Sequence, residues 1–533
     1  MVDIRWELLR APAARTLLLT ALLVTVITVV FLVRLGIASR RPKNFPPGPA
    51  GLPIIGNLHQ IPPAKSFLKF HELSKEYGPI VGLKFGPQNV VVLNHYQPVK
   101  ELFDKRGSIY SSRPKSYIAH ELLFPNKIHI LLNEYGPEWR LMRKVAQSFL
   151  NANSIQKIVP IQEAEATQTL YQIMNDPAGY YQYIRRYSAA VVLASVYGQR
   201  VPDPQSAKIQ EIYCIMERFL ALMEPGATPP VDAVPLLQYL PDWLSWWKRE
   251  AKAIRRDEKK LYAALVDETR IKLNQGKSPD CFLIHMFEDQ RKHGISDEWL
   301  GYIAGLFMEA GSDTTSSSIL DFILAMISHP DILKKAQKEI DAISPRDPPT
   351  YEAVKDNAYL NALMQETLRW RPVAPGGIPH TLIQDDSYEG YFLPKGTMLF
   401  ANAWTIHRDP AEYMSPDEFV PDRWLGNRYG IIGEEIREEG RREMYGFGAG
   451  RRVCSGQTMA ENSMLISMSK LLWFFDMSAT GGPVDTNVET AFTKGFLTAP
   501  KKFPVALRPR SQERAEILRK EFQQADEFLS RYD

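Results

Sequence analysis

Apolar residues recur along this chain mostly at i, i+3, i+4 spacing, which predicts helices over 155–175, 205–224, 244–274, 296–328, 331–343, 358–370 and 458–475. Strand-like patterning is confined to two places. Residues 80–94 (IVGLKFGPQNVVVLN) read as two short strands around a Gly-Pro-Gln-Asn turn. A second strand-rich stretch, 378–403, has Glu389-Gly390 and Pro394-Lys395-Gly396 as turn signals. No repeat, low-complexity tract or second linker follows residue 53. Residues 44–533 are therefore expected to form one large domain, mainly α-helical with small β-sheets. It closes on a polar tail at about 511–533.

One run has no polar face at all. Thr16–Val33 contains no charge, Gly or Pro, and is long enough to cross a hydrocarbon core of about 30 Å. Cleaved signal peptides usually have a shorter apolar region, of about 7–15 residues. Arg34, Arg40, Arg41 and Lys43 follow the run, whereas Arg5, Arg10 and Arg15 precede it beside Asp3 and Glu7. That basic excess places the body on the cytosolic side, and the absence of any Asn-x-Ser/Thr site after the run agrees. Residues 1–43 thus read as a single-span anchor with a basic flank. Residues 44–53, with Pro46, Pro47, Pro49 and Pro53, read as an extended, stiff hinge that sets the tilt of the body. Residues 225–247, Pro-broken and Trp-rich, admit two readings: a packed loop, or a contact with the membrane interface.

Composition narrows the function classes. With 45% hydrophobic and 23% charged residues the chain is globular, and a net charge of +3 gives no bulk electrostatic reason to bind nucleic acid. Cys214, Cys281 and Cys454 match no paired zinc spacing, and three are too few for a disulfide scaffold. The His-Glu pairs at 71–72 and 120–121 lack the second histidine of a zinc-protease helix. Cys214 and Cys281 have no ligand-like neighbours and are expected to be inert.

Cys454 is different. It stands in Phe447-Gly448-Ala449-Gly450-Arg451-Arg452-Val453-Cys454-Ser455-Gly456, just ahead of a predicted helix and beside two arginines. A helix N-terminus and nearby cations favour the thiolate, a soft ligand that haem iron accepts. A structural cysteine in a Gly-rich loop is the plain alternative. A dinucleotide turn is disfavoured, because Arg451 stands where that fingerprint needs Gly.

The decapeptide resembles the haem-binding loop of the cytochrome P-450 superfamily, F-x-x-G-x-R-x-C-x-G, with Phe447, Gly450, Arg452, Cys454 and Gly456 in place. The resemblance implies that Cys454 is the axial ligand of a thiolate-bound haem (iron protoporphyrin IX). It further implies that Arg452 is a propionate partner and that Phe447 packs beside the sulfur. Other motifs follow in the superfamily's order. Ala310-Gly311-Ser312-Asp313-Thr314-Thr315 interrupts a long apolar helix. A mid-helix Gly is unfavourable by up to about 1 kcal/mol, and the plain reading is a helix whose hydroxyls bond back to i−4 carbonyls. The resemblance implies that Gly311 and Thr314 open a groove for O2 and that Asp313 and Thr314 relay protons. Glu366 and Arg369, with Arg423 in Phe419-Val420-Pro421-Asp422-Arg423-Trp424, resemble the superfamily's structural network. Trp139 and Arg143, four apart on one helix face, resemble its propionate pair, and His380 fits a further propionate position.

The resemblance covers roughly residues 44–510 and is most similar to microsomal monooxygenases of filamentous fungi, of the O-methylsterigmatocystin oxidoreductase type. The supporting sequence is Pro46–Pro53, the 225–247 stretch and Arg371-Pro372-Val373-Ala374-Pro375-Gly376-Gly377. It implies activation of O2 and oxidation of an apolar small molecule in secondary-metabolite biosynthesis, at the endoplasmic reticulum membrane. Only 79 residues follow Cys454, so electrons are expected from a separate NADPH-dependent flavin reductase. Pocket walls are expected around 106–135, 205–245 and 373–378. A haem-thiolate isomerase or dehydratase and a membrane-tethered haem sensor or electron carrier stand as alternatives, the first disfavoured by the intact Asp313-Thr314 pair.

Overall fold

The computed structural model describes residues 12–224, 226–277, 279–293, 295–433 and 441–533; Arg5 and Arg10, which precede the apolar run, lie outside them with Asp3 and Glu7. The first helix, α1 (Pro12–Ala38), has no buried face. Its span Thr16–Ala38 has mean hydropathy 2.8, and its Leu and Val side chains are open on all sides. A water-soluble helix does not keep such a surface; one N-terminal apolar helix of this kind fits a membrane anchor.

The hinge does not hang free. Arg41 donates to the carbonyls of Gly48, Pro49 and Gly82, and Gly82 N–H donates to Pro47 O at 2.7 Å. Buried Lys84 donates to Ala38 O at 2.8 Å, which ties the end of α1 to the sheet. The Pro-rich segment is therefore laid along the first strand.

The main sheet has the order β1 (Ile80–Phe85), β2 (Gln88–Leu93), β6 (Met398–Ala401), β3 (His380–Thr381). β1 and β2 are antiparallel, whereas β2 and β6 pair in parallel, Val91 opposite Leu399. Alternation sends Val81, Leu83, Val90 and Val92 to one face, under Phe70 and Leu73. Ile80, Val91, Leu93 and Leu399 go to the other. β4 (Asp386–Tyr388) and β5 (Tyr391–Leu393) form a hairpin, and β7 (Phe475–Ala479) pairs with β8 (Val505–Pro509).

The helical body comprises α2 (Pro137–Phe149), α3 (Ala152–Asn175), α4 (Tyr180–Val192), α5 (Ala207–Met223), α6 (Trp246–Asn274), α7 (Asp297–Ser328), α8 (Ala358–Trp370) and α9 (Gln457–Phe474). One apolar core runs through them. The polar stretch 511–533 folds as a further helix, α10 (Gln512–Leu529). It buries Leu518 and Leu529, stacks Phe522 on Tyr171 at 3.9 Å, and pairs Arg514 with Asp341.

Helix α7 stays unbroken through its Ser/Thr-rich interruption because the hydroxyls bond back one turn. Ser312 donates to Met308 O, Thr314 to Ala310 O, Ser317 to Asp313 O and Ser318 to Thr314 O, all at 2.7–3.1 Å. The Trp-rich stretch resolves into short 3-10 turns at Pro235–Tyr239 and Asp242–Leu244. Leu236, Tyr239 and Trp243 stand 73%, 83% and 74% exposed, so this is an open apolar surface and not a packed loop.

Candidate active site

The cysteine loop is shaped by two glycines in the left-handed region. Gly448 has φ +78° and Gly450 φ +63°. A Cβ at position 450 would stand 2.2 Å from the Phe103 carbonyl oxygen, so no larger residue fits. Asp104, on the same turn as Phe103, accepts from Gly450 N–H at 2.8 Å, and Cys454 N–H donates to Phe447 O at 2.9 Å. Cys454 thus stands three residues ahead of α9. It presents accessible surface although protein surrounds it on all sides. A side chain lining an internal cleft does that, and one on the outer surface does not.

Burial pushes the Cys454 thiol above its usual range, against the pull of the Gly456 backbone and Arg143. This corrects the expectation that helix N-terminus and arginines alone would favour the thiolate. Desolvation is the larger effect, and a coordinating metal cation is what deprotonates such a thiol.

Around the cysteine three guanidinium groups converge. Arg452 donates to the carbonyls of Ser111, Ile130 and Asn133 at 2.6–3.0 Å and lies 4.4 Å from the Trp139 ring centre. Arg143 donates to Ser455 Oγ at 3.3 Å. Arg113 donates to the carbonyls of Leu131, Ile378 and Pro379. None of the three pairs with a carboxylate among the described residues. Burial pushes Arg113 down to about 9. It pushes Arg452 down to about 8, with help from Arg113 and Arg143. Buried charge without a counter-ion is costly. A ligand carrying two carboxylates and a metal that accepts a thiolate answers both the arginines and the cysteine. The residues present therefore fit haem.

Sequence reasoning missed Arg113, a solitary arginine with no motif around it. His380 is brought to the same place. Its ring stacks on Phe103 at 4.0 Å, and its Nδ1 donates to Tyr110 O at 2.8 Å. Burial first and Arg113 second hold the ring well below its usual range, hence neutral. A neutral ring donating from Nδ1 has only a lone pair at Nε2. Arg113, close enough to act on this ring electrostatically, is the cation there.

In the middle of α7, Ala310 is exposed between half-buried Glu309 and Gly311. Thr314 is half-buried, with its hydroxyl proton on Ala310 O at 2.7 Å. Asp313 turns to α4, where its carboxylate lies 3.6 Å from Arg185, itself stacked over Tyr213. Burial raises the Asp313 carboxyl, and Arg185 opposes this. No direct hydrogen bond joins Asp313 to Thr314 among the described residues. Gly311 has a packing reason: a Cβ there would stand 2.6 Å from Val192 Cγ2 on α4.

Away from the cysteine, Glu366 is wholly buried and accepts from Arg369 Nε and Nη2 at 2.8 Å and from Arg423 Nε at 3.1 Å. Trp424 Nε1–H at 2.9 Å and Val420 N–H at 2.7 Å also donate to it. Arg369 continues to the carbonyls of His407, Pro416 and Glu418. Motif reading found the three charged members. It missed Trp424 and the backbone partners.

Comparison with known proteins agrees with this geometry. A cytochrome P-450 family profile matches residues 46–507. The chain is 35% identical to a cytochrome P-450 monooxygenase of Arthrobotrys oligospora over 98% of both chains. It is 36% identical to the monooxygenase yanC of Aspergillus niger, covering 92% of this chain and 95% of that one. Similarity to the monooxygenase macC of Penicillium terrestre is also 36%, over 92% and 94%. The chain belongs to the cytochrome P-450 family and is a haem-thiolate monooxygenase.

Proposed function

We propose that this enzyme inserts one atom of O2 into an apolar small molecule, with the other atom leaving as water: RH + O2 + NADPH + H⁺ gives ROH + NADP⁺ + H2O. The electrons come from a separate NADPH-dependent flavin reductase, and the product belongs to fungal secondary metabolism. The observation that carries the reading is the accessible Cys454 beside buried Arg113 and half-buried Arg143 and Arg452, none of which has a carboxylate partner among the described residues.

Bound haem supplies the metal centre at which O2 is reduced. Cys454 ligates its iron, while Arg452, Arg143 and Arg113 hold its two carboxylates, Arg452 being braced by Trp139. Phe447 and Gly456 flank the sulfur. Gly450 allows the loop its turn against Phe103, and Gly311 lets α7 lie close to α4. Asp313 keeps its proton to higher pH than an ordinary carboxyl. Thr314 Oγ, one position on, has lone pairs free because its own proton is on Ala310 O. Water bridging the two moves protons inward. Glu366, Arg369 and Arg423 hold the fold and take no part in the chemistry. His380 packs against Phe103 and orients the strand.

The body, residues 44–533, sits on the cytosolic face of the endoplasmic reticulum membrane. Two features support this: the basic flank after α1, and the exposed Leu236, Tyr239 and Trp243. The test is NADPH-dependent O2 uptake by membranes carrying this chain and a flavin reductase. Apolar compounds are expected to stimulate it with oxygenated product formed. Uptake that no apolar compound changes would remove the monooxygenase reading of this site.

A further inference from the structure

One short turn supplies most of the carbonyls that hold two arginines of the site. Arg452 donates to Ile130 O at 3.0 Å and Asn133 O at 2.6 Å, and Arg113 donates to Leu131 O at 2.9 Å. These residues belong to neither helix nor strand. The turn's own hydrogen bonds are local. The N–H groups of Leu132 and Asn133 donate to His129 O, and Asn133 Nδ2 donates to Lys127 O at 2.6 Å. Bonds of this kind close a turn but do not fix its place relative to the helices.

His129 supplies that place. It is 2% exposed, and its Nε2 is 2.9 Å from Glu309 Oε2 on α7. A ring nitrogen facing a carboxylate carries the proton, so Nε2 donates. Nδ1 has no partner among the described residues, which leaves the bond to Glu309 as the ring's polar attachment there. Glu309 is held in turn, because the Tyr262 hydroxyl of α6 donates to its other oxygen. One turn earlier on α7, Gly305 leaves room for that tyrosine: a Cβ there would stand 2.5 Å from the ring. Glu309 precedes Asp313 by one helical turn. The path from the arginines thus ends on the helix that carries Asp313 and Thr314.

Resting on the haem reading of the site, we propose that His129 and Glu309 are a positioning pair. Their hydrogen bond fixes the 129–133 turn on α7 and so aims Arg452 and Arg113 at the haem carboxylates. The link is the backbone: Ile130 and Leu131 follow His129 directly, so a shift of the imidazole moves the carbonyls to which both guanidinium groups donate. The rings of Phe124 and Phe219, 4.2 and 6.1 Å from that of His129, accept any flat ring as a neighbour. Only the carboxylate opposite calls for an imidazole.

The test uses the detergent-solubilised, haem-loaded full chain, with haem transfer to apomyoglobin as the first readout. His129→Phe keeps the flat ring and removes the hydrogen bond. It is expected to speed haem loss about threefold to tenfold, within the range for residues coupled in one network. His129→Gln, whose amide donates from the same reach, is expected to stay within about twofold of the parent. Glu309→Leu is expected to do at least as much as His129→Phe, and the double variant to lose haem no faster than Glu309→Leu. The second readout is the haem-propionate bending band in the resonance Raman spectrum. It is expected to shift in His129→Phe and to return in His129→Gln, whereas a general loss of stability leaves it in place. Parent-like haem loss in His129→Phe overturns the proposal. So do single effects that multiply in the double variant, haem loss in His129→Gln as fast as in His129→Phe, or a band that stays in place while haem loss rises. The underlying reading fails separately. A parent chain without the red-shifted carbon-monoxide band refutes the haem-thiolate reading, and parent-like haem retention in both Arg113→Met and Arg452→Leu refutes the role of the arginines. With both of these intact, parent-like behaviour of His129→Phe refutes this inference alone.

Discussion

The guanidinium of Arg452 lies 4.4 Å from the centre of the Trp139 indole, so the cysteine loop and helix α2 meet as a cation on an aromatic face. That contact fixes the direction of a half-buried arginine that has no carboxylate partner among the described residues. Arg143, half-buried, and Arg113, buried, likewise have none there. Each charge-assisted hydrogen bond to a bound carboxylate is worth about 1.5–3 kcal/mol. Arg113→Met and Arg452→Leu are therefore expected to speed haem loss roughly tenfold to a hundredfold. Transfer of haem to apomyoglobin measures this, and unchanged rates in both variants would remove the arginines from haem retention.

Two glycines of the loop are predicted to behave differently. Gly450→Ala places a Cβ 2.2 Å from the Phe103 carbonyl at φ +63°. It is expected to abolish haem incorporation. A Cβ on Gly456 meets nothing closer than Cys454 Sγ at 3.9 Å, an ordinary contact. Gly456→Ala is expected to load haem to at least half the parent level, as read by the haem-to-protein absorbance ratio.

Glu366 takes hydrogen bonds from both arginines, Trp424 and the Val420 backbone. Removing it leaves Arg369 buried and unpaired. Glu366→Ala is thus expected to destabilise the fold by about 3–5 kcal/mol. Trp424→Phe, which removes one hydrogen bond to a charged group, is expected to remove about 1.5–3 kcal/mol. The midpoint of urea-induced loss of ellipticity orders the two; the reverse order contradicts the network described here.

Thr314→Ala is expected to keep haem and lose coupling, so that NADPH consumption yields hydrogen peroxide in place of product. Asp313→Asn should do the same and also shift stability. Folding raises the Asp313 carboxyl, so the folded chain holds that proton to higher pH than the unfolded chain. Stability therefore falls as pH rises from about 4, the unfolded value, through the raised folded value, and is level above it. The asparagine variant is expected to be the more stable at pH 7 and to lose that advantage below about pH 4. Thermal melts at the two pH values check the sign.

Much of this was legible in the sequence because it is local. The helix over 358–370 is found at Ala358–Trp370, and the strand pair in 80–94 at Ile80–Phe85 and Gln88–Leu93. Apolar spacing and a Gly-Pro turn determine both. The parallel pairing of β2 with β6 joins residues some three hundred positions apart, and no local pattern announces it. In the sequence, 511–533 shows only a polar stretch, because Leu518 and Leu529 are widely spaced among charged residues, yet it folds as α10. Arg113 carries no motif, and its role rests on carbonyls supplied by distant loops. The thiol of Cys454 went the other way from the sequence expectation, since desolvation is a property of the packed site.

The central claim is that Cys454 ligates haem iron through its sulfur. The reduced, carbon-monoxide difference spectrum of membranes carrying the full chain, beside Cys454→Ser, tests it most directly. A strongly red-shifted Soret band in the parent that is lost in the variant is the predicted result. A histidine-type spectrum, or a red-shifted band that survives in Cys454→Ser, would contradict it.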